Sequence, residues 1–98
     1  MSDQNEWPEV HQEIDIGNGV TITFVEYDGE VVGLNEAHKD KHGNKCFGYV
    51  AFDGSQYTPK DAPKWKVISK DPLTLEPSIL CRKCGNHGFI RNGRWVAA

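Results

Sequence analysis

Two thiols and an imidazole, Cys81, Cys84 and His87, stand within seven residues near the end of a 98-residue chain, in the order Cys-Arg-Lys-Cys-Gly-Asn-His. The Cys-x-x-Cys-Gly segment is a tight turn that directs both sulfurs at one point, with backbone N–H groups turned toward the first of them. An imidazole three residues on reaches the same point. The pattern reads as part of a zinc site. Structural zinc takes four protein ligands in a tetrahedron, so a fourth must come from elsewhere. Cys46 is the first candidate, because it opens a strand that can lie beside the turn. His38 and His42, four residues apart, come next, and water is the remaining option. A chain this short holds only a modest core, so a metal here is expected to be part of the fold.

Other readings of the same residues are weaker. A redox Cys-x-x-Cys opens a helix after a strand in a βαβ unit, and no such unit is visible. Plain buried thiols remain the inert alternative. A water on the fourth position would make a nucleophile, with Glu76, Glu36 or His38 as proton carrier. The deaminase and zincin patterns that would support it are missing: Pro77 lies four residues ahead of Cys81 rather than next to it, and Lys39 follows His38 where a zincin has Glu.

The three cysteines are an odd number, which argues against a closed disulfide framework and for reduced thiols. The first residues, Met-Ser-Asp-Gln-Asn-Glu, have neither the basic start nor the apolar core of a secretory signal. No apolar run is long enough to cross a bilayer, so no membrane partner is expected and the cytoplasm is the expected compartment. The net charge of −3 conceals a division. Residues 1–38 carry nine acidic side chains and no Lys or Arg, whereas residues 39–98 carry eleven basic and five acidic ones. Arg82, Lys83, Arg91 and Arg94 cluster in the last twenty residues without an acid, a candidate surface for an acidic protein or for phosphates.

Residues 1–15 read as a loosely ordered acidic arm with Trp7-Pro8 as its anchor. Residues 16–98 form the domain. Segments 20–27 and 30–34, rich in β-branched and aromatic residues, flank Asp28-Gly29, a primed-turn hairpin signal. Segments 46–52, 65–69 and 73–76 are further strands. Residues 35–45 are polar and read as a loop or one to two helical turns. Segments 88–91 and 94–96 form a hairpin about Asn92-Gly93. No segment sustains a helical period. The expected fold is mostly β, with a small α+β variant as the alternative. It is a single domain of about six short antiparallel strands with a zinc-knuckle-like turn and hairpin at its C-terminal end. Trp65 and Trp95 are expected to pack in or at the rim of its core.

Taken together, Pro77-Ser78-Ile79, Cys81, Cys84-Gly85, His87-Gly88, Ile90, Gly93 and Trp95 resemble the C-terminal signature of small proteins of unknown function found in actinobacterial phages and related mobile elements. The resemblance spans roughly residues 46–97. It implies a phage or prophage product acting in the bacterial host cytoplasm, and brings no established activity with it. The reading that follows is a small, non-enzymatic zinc-binding accessory protein, monomeric or homodimeric, that meets a protein or nucleic acid through its basic C-terminal region. The alternatives are a zinc-dependent hydrolase and a virion or assembly component.

Overall fold

The pleat of the longest strands explains the architecture. The computed structural model describes residues 7, 8 and 10–98. Strand β1 (Ile14–Gly17) is followed by β2 (Val20–Tyr27), β3 (Glu30–Lys39) and β4 (Lys45–Ala51) in an antiparallel sheet of order β1-β2-β3-β4. Val20, Ile22 and Phe24 alternate inward along β2, and Val32, Leu34, Glu36 and His38 do so along β3. Phe24, Leu34 and Val50 stand opposite one another across three strands, and their row fills the middle of the core.

Two further antiparallel units close over this sheet. A hairpin pairs β5 (Lys66–Lys70) with β6 (Leu73–Glu76), and a three-stranded sheet orders β7 (Ile79–Leu80), β8 (His87–Arg91) and β9 (Arg94–Ala97). They contribute Leu73, Leu75, Ile79, Ile90 and Trp95 to one buried cluster. The Asn92-Gly93 turn is tied to β6 by Gly93 N–H donating to Leu73 C=O at 2.8 Å and Asn92 N–H donating to Thr74 Oγ1 at 3.0 Å. The radius of gyration, 13.0 Å, matches one compact domain of this length.

All described strand pairs are antiparallel and no helix forms among the described residues, as the sequence pattern predicts. The count is nine strands among the described residues rather than about six. The main difference is residues 35–39, which continue β3 instead of forming a loop or helical turn. Polar residues face inward there because a cluster of metal-binding type lies beneath them. This continuation lengthens β3 without adding a strand; the added strands are β1, joined to β2 through Asn18-Gly19 with both residues at positive φ, and the two-residue β7.

The arm expected over residues 1–15 falls partly on residues 1–6 and 9, which lie outside the described residues. Trp7 is packed: its ring stacks on Phe52 at 5.2 Å and 5°, and tilts against Phe24 at 5.2 Å. Trp95 is buried in the core, and Trp65 is half-buried and binds Ala51 and Asp53 through its backbone.

Gly88 shows how tightly the last sheet is packed. A Cβ there would sit 2.5 Å from the Trp95 ring. Gly88→Ala is therefore expected to destabilise the domain by about 1–3 kcal/mol, the usual range for overpacking. Urea denaturation reads this as a lower midpoint with an unchanged slope.

Candidate metal centre and an adjoining serine–histidine pair

His38 and Cys46 face each other directly in the β3–β4 register, both on the inward face. The turn between β7 and β8 brings Cys81 and Cys84 against them. The ligand atoms of His38, Cys46, Cys81 and Cys84 all lie within 4.8 Å of one another, a donor set able to hold a metal ion such as zinc. Tetrahedral zinc with bonds of about 2.0–2.3 Å needs donors about 3.5–3.8 Å apart, so small adjustments suffice. The His38 Nε2 to Cys84 Sγ separation is 3.2 Å.

The turn is built as its sequence predicts. Cys81 N–H donates to Asn86 C=O and Gly85 N–H to Cys81 C=O, each at 2.8 Å, and Gly85 takes the positive φ of 80° that the reversal requires. Burial acts to raise the Cys81 thiol, but the backbone N–H groups of Cys84 and Lys83 outweigh it and hold the thiol down at about 7. Cys46 is pushed up to about 11, by burial and then by the neighbouring Cys84 and Cys81.

Behind His38 stands Glu36, two residues earlier on the same strand face. Its carboxylate accepts from His38 Nδ1–H at 2.6 Å, and both side chains are 4% exposed. Burial is the largest influence on His38 and lowers its pKa, yet the bonds to Glu36 and Cys84 and the Glu36 charge together raise it to about 9. The same hydrogen bond fixes the tautomer that leaves Nε2 toward the sulfurs, the usual carboxylate–histidine–metal arrangement. Glu36→Gln is expected to lower metal affinity about 10–100-fold with little change in fold. Competition against a chromophoric chelator measures it.

The expected ligands Cys46, Cys81 and Cys84 are thus brought together, and His38, one of the alternatives for the fourth place, completes the group. His42 sits in the exposed β3–β4 turn, where its N–H binds Asp40 Oδ1 at 2.8 Å. His87, expected beside Cys84, is not in the group. It opens β8 opposite Leu80 on the outward face, so the strand carries its ring away from the sulfurs.

The His87 ring instead meets a residue that the sequence reading passed over. Ser78 Oγ lies 2.8 Å from His87 Nε2. Ser78 immediately precedes β7 and His87 immediately follows the metal-binding turn. The register of that hairpin, Ile79 with Gly88 and Leu80 with His87, sets their separation. Trp65 Nε1–H holds the Ser78 carbonyl at 3.1 Å from the other side. A serine and a histidine bracketing a Cys-x-x-Cys turn, each next to a strand, was the available signal.

The four basic residues do not form one patch. Arg82 and Lys83 are exposed in the metal-binding turn, at one end of β8. Arg91 and Arg94 pair at the other end, about 13 Å away along an extended strand. Arg91 lies 4.0 Å over the Phe89 ring, and the Arg94 guanidinium lies against Gly17.

Fold and site together define a small all-β domain with a three-cysteine, one-histidine cluster at the junction of two sheets. The chain belongs to the family described as "Bacterial ubiquitination-like system serine protease (BubE)", whose model matches residues 22–98. The matched segment includes the four cluster residues, Ser78 and His87. No curated protein and no solved structure matches the chain. Among the described residues, no helix is long and apolar enough to cross a membrane.

Proposed function

We propose that this protein is a serine protease of a bacterial ubiquitination-like system, with Ser78 as nucleophile, His87 as general base and a structural zinc ion that holds the two in register. The observation that carries the reading is the 2.8 Å contact between Ser78 Oγ and His87 Nε2 in a chain of this family. With His87 in its Nδ1–H tautomer, Ser78 donates to Nε2, the arrangement an activated serine requires. As Oγ attacks a carbonyl carbon, its proton passes to Nε2. The tetrahedral intermediate then expels the leaving amine, which takes that proton from His87. Water, deprotonated by the same nitrogen, attacks the acyl carbon, and the Ser78 Oγ–carbon bond breaks as His87 returns the proton to Oγ.

Three thiolates and an imidazole suit zinc, and four protein donors complete its tetrahedron. That leaves no coordination position for a reacting water, so the chemistry is assigned to Ser78 and the metal to structure. The metal would pin the loop of the very hairpin that Ser78 precedes and whose second strand His87 opens. This reading departs from the non-enzymatic role expected from sequence, because the outward orientation of His87 supplies a base for a nucleophile.

A fluorophosphonate probe, which captures activated serines, tests it. Stoichiometric labelling at Ser78 that is lost in His87→Ala supports the assignment. An unlabelled, folded, metal-loaded protein refutes it. Elemental analysis identifies the metal.

A further inference from the structure

Gly48 has no reason to be glycine in the fold itself. Of the ten glycines, seven take positive φ, and Gly33 and Gly88 are pressed by the Tyr49 hydroxyl and the Trp95 ring. Gly48 does neither: it lies within β4 at ordinary strand φ, is exposed, and a Cβ there would meet nothing within 4 Å. Glycine weakens a strand by roughly 0.5–1 kcal/mol relative to alanine, and in a strand it often marks where a ligand approaches closely.

The surroundings name the ligand. β4 is the last strand of its sheet and β7 the first of the other, so both present edges, that of β4 being covered by the Trp65 backbone only from Ala51 onward. Between them runs a groove of about 280 Å³, lined by Phe47, Gly48 and Tyr49 on one side and Leu80, Arg82 and Lys83 on the other. Phe47 is 73% exposed and Leu80 55%, unusual for large apolar side chains. The groove is smaller than the about 300–1,000 Å³ of a small-molecule site, but a sheet edge takes an extended chain. Its exposed charges are the cations Arg82 and Lys83. It reaches β7 at Leu80, the register partner of His87 and two residues beyond Ser78 in the chain.

We infer that this groove is the substrate-binding cleft, taking an extended peptide that pairs with the β4 edge. An apolar side chain of the peptide enters over Gly48 between Phe47 and Leu80, and an acidic side chain meets Arg82 and Lys83. The inference rests on the serine-protease reading for the purpose of the cleft, but not for its occupancy.

Binding and serine reactivity are therefore read separately. In the Ser78→Ala protein, fluorescence anisotropy follows a fluorescein-labelled heptapeptide with a central leucine and two terminal glutamates. Adding Gly48→Val, which suits a strand, is expected to weaken binding at least about tenfold, the scale of one misplaced apolar group in a pocket. Gly48→Ala, adding a single methyl into open space, should weaken it less. Arg82→Glu with Lys83→Glu should weaken the acidic peptide and favour a counterpart carrying lysines. Unchanged peptide binding in both Gly48 variants overturns the inference, as does failure of the peptide to bind or a single-stranded oligonucleotide taking its place. Gly48-dependent binding in a protein whose Ser78 never labels leaves the cleft standing and removes the protease reading alone.

Discussion

Stripping the metal with a strong chelator, or replacing Cys84 with serine, is expected to unfold the domain. The four donors come from β3, β4 and the β7–β8 turn, so the cluster joins two sheets that otherwise share only a modest core. A structural zinc site contributes on the order of 10–16 kcal/mol, whereas whole domains are stable by only about 5–15 kcal/mol. The metal contribution is as large as the stability of a whole domain, so the metal-free protein should show no cooperative melt. His38→Ala and Cys46→Ser should behave alike. His87→Ala should retain full metal content and melt within a few degrees of the native protein, since its ring is outside the cluster. Circular dichroism melts with metal analysis decide this, and a native-like melt in excess chelator would refute it. Loading should also release protons near neutral pH, because without metal His38 at about 9 and Cys46 at about 11 still hold theirs. Raising the pH removes that competition, so affinity should climb with pH through the neutral range.

Ser78→Ala is expected to abolish hydrolysis while leaving stability and metal content intact. One exposed hydrogen bond contributes only about 0.5–1.5 kcal/mol to folding, so loss of activity cannot be charged to unfolding. His87→Ala should reduce kcat by about 10²–10⁴-fold, the usual contribution of a positioned base. The double variant should be no worse than Ser78→Ala, because the pair acts as one unit. Steady-state cleavage of a fluorogenic peptide measures all three. Full kcat in His87→Ala would remove the histidine from the mechanism.

Much of the strand order was readable because it rests on local chemistry. The β-branched run at 20–27, the Asp28-Gly29 and Asn92-Gly93 turns and the Cys-x-x-Cys-Gly reversal each depend on neighbours a few residues apart. Residues 35–39 were not readable as strand. Glu36 and His38 point inward, and an inward polar pair looks like a loop until its partners are known. His87 was read as a ligand on proximity to Cys84, and the reading failed to anticipate which way its strand would face.

Sequence alone determined that the protein would be β-rich and that Cys81 and Cys84 would share one turn, since both follow from backbone preferences over short spans. Which histidine joins the sulfurs, and which one meets Ser78, was decided only by tertiary structure. Inward or outward direction alternates at every residue of a strand, and the registers of β3 with β4 and of β7 with β8 choose between the two faces.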